Sequence, residues 1–284
     1  MKIEAFFHHA TSTLTYLVSD ETTHDAIVID AVLDYYPQSS TVTTSSVDAL
    51  AETIRAAELR PLYILDTHVH ADHMSGAQAL KQHFPDARIA IGARITEVQR
   101  TLGQIFAPDD LPHDGSQFDQ LLDDGEVIKA GSLELQVIHT PGHTPACASY
   151  KIDDALFTGD SLFMPDFGTG RCDFPAGSAE TLYASIKKIY ALPDATRVFV
   201  GHDYQPGGRA LKYETTVGES KRTNKHLRHD TTEEEFVSFR NARDATLKPP
   251  KLLLPSLQVN IRAGSLPPED AKGRRFLQIP LKSG

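Results

Sequence analysis

Apolar and polar positions along the first thirty residues fall into three short runs, 3–7, 13–19 and 26–30, separated by polar clusters. Runs of this length bounded by turn residues predict strands, and Asp20-Glu21-Thr22-Thr23-His24-Asp25 is the clearest turn between them. Residues 39–46, rich in Ser and Thr, predict a loop, and the helical spacing of apolar residues over 47–59, ending just before Pro61, predicts an amphipathic helix. Residues 62–65 are a short buried-strand candidate; a helix over 76–83, a strand over 88–91 and a helix over 96–102 come next, with a loop over 108–117. Two strands are expected within 126–139 across Ala130-Gly131, and a hairpin over 149–158 around Asp153-Asp154. A helix over 178–190 carries Ser178 as N-cap and Glu180 in its first turn, and a strand over 197–200 ends the pattern. From Pro206 the chain changes character, with helical pieces over 213–228 and 232–245 and then a Pro-rich segment. Alternating strands and helices predict an α/β protein. Its catalytic core is expected over 1–204, with an extension over 205–284 packed on it as part of one overall domain.

Composition narrows the function classes. The 284 residues suit one large domain or two small ones, at about 150 residues per domain. No apolar stretch approaches the roughly 20 residues that cross a bilayer, so no transmembrane helix is expected. Glu4, His8 and His9 interrupt the place of a signal-peptide apolar segment, and only two cysteines, Cys147 and Cys172, are present. A reducing, cytoplasmic location fits both. The net charge is −10, and no basic run exceeds two residues, which argues against nucleic acid or a membrane surface as partner. A small-molecule substrate is expected, and an anionic one would need local positive charge or a metal.

The thirteen histidines decide more by their placement than by their number. His68, His70 and His73 share one segment with Asp72, His143 lies in Thr140-Pro141-Gly142-His143-Thr144, Asp160 ends Thr158-Gly159-Asp160, and His202 follows Gly201. Each segment follows a predicted strand, so four strand ends offer imidazole or carboxylate groups, which together suit a divalent zinc or iron ion. Gly142, Gly159 and Gly201 stand beside these groups, where a Cβ would obstruct close approach. His8, His9, His24, His83, His113, His226 and His229 fall outside these loops and are expected to be solvated or structural.

The segments Thr67-His68-Val69-His70-Ala71-Asp72-His73, Pro141-Gly142-His143-Thr144, Thr158-Gly159-Asp160 and Gly201-His202, in this order, resemble the metallo-β-lactamase superfamily. The resemblance covers about residues 1–204 and implies an αββα sandwich of two mixed sheets flanked by helices, with a metal site at one edge. Gly170-Arg171-Cys172-Asp173-Phe174 and His202-Asp203-Tyr204 resemble the persulfide dioxygenase (sulfur dioxygenase) branch of that superfamily in its bacterial form. Parts of the tail, such as Glu214-Thr215-Thr216-Val217-Gly218-Glu219, resemble it more weakly.

That branch implies one non-haem Fe(II) per chain held by His68, His143 and Asp160. It implies oxidation of glutathione persulfide by O2 to sulfite and glutathione. Arg171 and Tyr204 match positions that bind the glutathione part, and His70, Asp72, His73 and His202 stand behind the iron ligands. The resemblance also implies a homo-oligomer, a dimer or tetramer. The alternative is a glyoxalase II-like hydrolase of glutathione thioesters, in which the same four residues complete a second metal site bridged by Asp160 and zinc can take the place of iron. Against it, the long helical glutathione-binding domain of glyoxalase II has no match in this chain. Cys172 stands where mitochondrial-type relatives have threonine; it is read as a small buried thiol rather than a persulfide acceptor, and Cys147 as a core residue.

Overall fold

Strand β2 (Thr13–Ser19) is buried along its whole length because it has apolar material on both faces. Leu14, Tyr16 and Val18 point into one core and Leu17 into another, as the two-residue period of a strand requires. The same division holds for β3 (Asp25–Ile29), where Ile27 and Ile29 face the first core and Ala26 and Val28 the second. The structure is a computed structural model and describes residues 1–106 and 111–281.

Around these two strands, β1 (Lys2–His8) pairs antiparallel with β2, and β6 (Arg60–Leu65), β8 (Arg88–Gly92) and β9 (Gln120–Leu122) extend the sheet from β3 in parallel. A small sheet joins β4 (Val32–Tyr36) to β5 (Thr41–Thr43) and to β7 (Met74–Ser75). The second large sheet runs in chain order through β10 (Val127–Ala130), β11 (Leu133–His139), β12 (Ala148–Ile152), β13 (Ala155–Phe157), β14 (Arg197–Phe199) and β15 (Glu214–Thr216). Only β13 and β14 are parallel within it, so both large sheets are mixed.

The two sheets face each other across a core in which Tyr16, Ile27 and Ile29 meet Leu135, Val137 and Tyr150. This cluster continues to Leu182, Ile186 and Ile189 of α4 (Ala179–Tyr190) and Phe236 of α6 (Glu233–Asp244), on the far side of the second sheet. The other core packs Leu17, Val28 and Ile64 against α1 (Ser45–Ala56), α2 (Ala77–His83), α3 (Ile95–Phe106) and α7 (Leu253–Asn260). Helix, sheet, sheet and helix therefore form four layers, the αββα arrangement expected. Ser178 caps α4 through Thr181 N–H, and Thr232 with Glu235 forms a capping box on α6.

The departures have local reasons. The Ser/Thr-rich stretch expected as a loop contains β5, whose three residues pair only with β4. The helix expected over 213–228 begins as strand β15, because residues 214–216 complete the edge of the second sheet, and only then becomes α5 (Val217–Thr223). The Pro-rich tail holds α7, where Pro255 sits in the first turn and costs no interior hydrogen bond. Residues 108–110 of the expected 108–117 loop lie outside the described residues. Among the described residues no helix is long and apolar enough to cross a membrane.

Candidate metal centre

Strand β6 runs out at Leu65 and delivers residues 66–73 to the edge of the sandwich, where the loops after β11, β13 and β14 also arrive. His68, His143 and Asp160 form one group of converging ligand atoms, and His70, Asp72, His73 and His202 another, with the atoms of each group within 4.8 Å of one another. The ring centroids of His68 and His70 are 4.1 Å apart, those of His70 and His73 4.1 Å, and those of His68 and His143 4.9 Å. Asp160 lies between the groups. Its Oδ2 is 3.7 Å from His143 Nε2 and 4.0 Å from His68 Nε2, while its Oδ1 is 3.3 Å from His202 Nε2.

Each imidazole is oriented from behind. His143 Nδ1 donates to the Arg171 carbonyl at 2.7 Å, His73 Nδ1 to the Met74 carbonyl at 3.1 Å, and His202 Nδ1 to the Ser12 carbonyl at 3.2 Å. Thr67 Oγ1 donates to Asp30 at 2.9 Å and so accepts from His68 Nδ1 at 3.0 Å. His70 is turned the other way, its Nε2 bonded to Asp30 at 3.1 Å. The opposite nitrogens, Nε2 of His68, His73 and His202 and Nδ1 of His70, are buried without a hydrogen-bond partner, as are oxygens of Asp72 and Asp160. Unpartnered buried polar atoms are costly and rare. Six of them converging on one place, each imidazole held in the tautomer that frees a lone pair, form a donor set fit for a metal ion.

Charge placement agrees for two of the imidazoles, whereas the carboxylates beside His70 and His202 draw these two, against burial, toward the protonated form, a proton that a bound metal would displace. Burial and the neighbouring imidazoles hold His68 well below the usual histidine range, and burial with the His70 charge pushes His73 down to about 3, so both stay neutral ligands. For His70 burial acts downward too, but the carboxylates of Asp30, Asp66 and Asp72 prevail and lift it to about 9. Burial raises the Asp160 carboxyl, with the nearby Asp72 charge adding to the rise.

The backbone allows this crowding at two glycines. Gly159 has φ of +49°, and a Cβ there would lie 2.4 Å from Thr67 Oγ1; a Cβ on Gly201 would lie 3.0 Å from Asp160 Oδ1.

A cavity of about 730 Å³ opens onto the site and is lined by Asp72, His143, Asp160, Arg171 and Tyr204 among others. Its lining does not include His68, His70, His73 or His202. Tyr204 is 44% exposed, and its ring stacks on that of His202 at 5.5 Å. Arg171 is already engaged: Nε and Nη2 each donate to the Asp173 carboxylate at 2.5 Å, and Nη1 donates to the Lys248 carbonyl at 2.8 Å. Cys172 is buried, and burial with the Asp244 charge drives its thiol far above the usual range, so it is no thiolate. Cys147 is likewise buried and pushed up to about 12.

Residues 10–202 match the Metallo-beta-lactamase superfamily. The chain belongs to this superfamily. Superfamily relatives carry different names. A probable metallo-hydrolase of Burkholderia pseudomallei is 49% identical over 99% of each chain. Glyoxylase B2 of Dictyostelium discoideum is 48% identical over 99% of this chain and 97% of its own. The mitochondrial persulfide dioxygenase ETHE1 of Homo sapiens is 31% identical over 92% of this chain and 88% of its own. The crystal structure of ETHE1 from Myxococcus xanthus superposes with a TM-score of 0.75 and 31% identity, covering 93% of this chain and all of that one.

The structure brings together all seven residues expected at the metal loops and places Arg171 and Tyr204 on the adjoining cavity. Sequence reasoning missed Asp30, whose only signal is a carboxylate ending an otherwise apolar strand run. It also set aside His8 and His226, both of which line the cavity, His8 held by Asp34 at 3.3 Å and His226 Nδ1 accepting the Thr169 N–H at 3.0 Å.

Proposed function

We propose that the protein is a persulfide dioxygenase that uses one Fe(II) at His68, His143 and Asp160 to oxidise glutathione persulfide. The overall reaction takes glutathione persulfide, O2 and water to glutathione and sulfite. The observation that carries the reading is the position of the triad relative to the cavity. His143 and Asp160 reach the cavity wall, whereas of the second group only Asp72 does. Two histidines and one carboxylate suit Fe(II), and iron held there would offer open positions for sulfur and O2 and would pass electrons from the persulfide sulfur, which is the reductant, to O2.

The chain's own residues do the rest. The Arg171 carbonyl fixes the His143 ring, while His202 stands behind the cavity wall against both acids, its Nε2 3.2 Å from Asp72 and 3.3 Å from Asp160. Phe163 and Phe167 line the cavity beside Tyr204 and restrict water there. Arg171 receives a glutathione carboxylate in exchange for Asp173, because its fork has a planar bidentate geometry that suits either. In this reading residues 1–204 are the catalytic core, and 205–284 an extension that completes its second sheet and cavity.

The deciding experiment is O2 uptake by anaerobically purified, Fe(II)-loaded protein on adding glutathione persulfide, with iron counted on the same sample. About one iron per chain and prompt uptake are expected. Two metals per chain, no uptake and hydrolysis of a glutathione thioester would move the assignment to a hydrolase. That second reading is favoured by the completeness of the His70, Asp72, His73 and His202 group and by the relative named glyoxylase.

Arg171→Ala should raise KM for glutathione persulfide on the order of tenfold with kcat little changed, since a charge-assisted hydrogen bond contributes about 1.5–3 kcal/mol. Steady-state O2-electrode kinetics reads this split, and an unchanged KM would remove Arg171 from substrate binding.

A further inference from the structure

Residues 70–73, which carry three of the second group's four donor side chains, are bound from a distant part of the chain. Asn260, at the end of α7, donates its side-chain amide to the His70 carbonyl at 2.7 Å and to the His73 carbonyl at 2.8 Å. Its Oδ1 accepts the Ser75 N–H at 2.7 Å. The side chain is 2% exposed. One amide therefore closes both ends of the segment that holds Ala71 and Asp72, and ties that segment to strand β7 through Ser75. Buried carbonyls left without these donors would be unsatisfied, so the segment has a strong reason to keep this one shape.

We infer that Asn260 is a positioning residue of the metal centre, through which the C-terminal extension sets the geometry of the ligand loop. The inference rests on the reading that these donors hold a metal. A continuous chain of contacts carries it: Asn260 fixes the segment bearing Asp72, Asp72 Oδ2 lies 3.2 Å from His202 Nε2, and His202 Nε2 lies 3.3 Å from Asp160 Oδ1. On the other side, Asp30 fixes the His70 ring at 3.1 Å. The loop is thus held at its backbone by Asn260 and at a side chain by Asp30. Aspartate at position 260 keeps the shape but has no donor for two carbonyls, and alanine removes every bond.

The test compares the full chain with Asn260→Asp, Asn260→Ala and the milder Asn260→Ser, and with Gln258→Ala as a control on the same helix. Gln258 bonds the Leu254 and Gln278 carbonyls rather than the ligand loop. Co(II) and Zn(II) affinities are measured by chelator competition, the Co(II) absorption spectrum reports ligand geometry, and amide hydrogen exchange tracks residues 70–75. Loss of an outer-shell partner typically weakens metal binding about 10–100-fold. That loss, an altered Co(II) spectrum and faster exchange at 70–75 are expected for the Asn260 variants, with Gln258→Ala like the parent. Parent-like affinity and spectrum in the Asn260 variants would overturn the positioning role, even if they melt earlier, and so would equal losses in Gln258→Ala. A parent chain that binds no metal would instead overturn the reading of the site itself.

Discussion

His143→Ala should abolish O2 uptake with glutathione persulfide and leave less than about a tenth of an iron per chain. His143 and Asp160 are the two triad members that reach the cavity, and the His143 ring is locked by the 2.7 Å bond to the Arg171 carbonyl. Loss of outer-shell partners already weakens metal sites about 10–100-fold, so loss of a ligand exceeds that. The informative partner is His73→Ala. If a single iron sits on His68, His143 and Asp160, His73→Ala keeps bound iron and measurable turnover. If two metals share the site, it loses one metal and nearly all activity. Iron analysis and O2-electrode rates on both variants, purified side by side, separate these outcomes, and retained iron and turnover in His143→Ala would exclude the triad.

The largest stability effect is expected at Asp30. Its carboxylate accepts from Thr67 N–H at 2.7 Å, from Thr67 Oγ1 at 2.9 Å and from His70 Nε2 at 3.1 Å, and all three residues are buried. The His70 charge and the Thr67 donors overcome the burial penalty and hold the Asp30 carboxyl below its usual range. Breaking a buried charged pair by removing one partner costs about 3–5 kcal/mol. Asp30→Ala should lose an amount of that order in urea denaturation of the metal-free protein, where no bound metal contributes to the difference. The same variant should bind metal more weakly, because His70 loses the contact that aims its Nδ1 inward. A loss below about 1 kcal/mol would show that solvent enters and satisfies Thr67 and His70.

Most strands of the two large sheets were legible because burial on both faces writes apolar runs, as at 13–19 and 26–30, though β9 at 120–122 was not. The metal loops were legible because several imidazoles and carboxylates within a few residues serve packing poorly. The short pieces were not: β5 and β15 have three residues each, too few to show a period, and their pairing with β4 and β14 overrides the local preference of their residues. The orienting groups were hidden for another reason. Asp30 and Asn260 act on a loop 40 and 190 positions away, and no local spacing records such a partnership. Arg171 was singled out by the resemblance of Gly170-Arg171-Cys172-Asp173-Phe174 to the dioxygenase branch, but its engagement with Asp173 appears only when the turn between them is built.

The 190-position reach from Asn260 to His70 also orders events in time. During synthesis all seven donor side chains leave the ribosome before the residue that closes two of their backbone bonds. A nascent chain ending near position 250 holds the histidines and carboxylates without the geometry that α7 imposes on them. The finished arrangement of the donors therefore needs α7 docked, and a chain stopped short of position 260 carries the whole donor set without the bonds that close its loop.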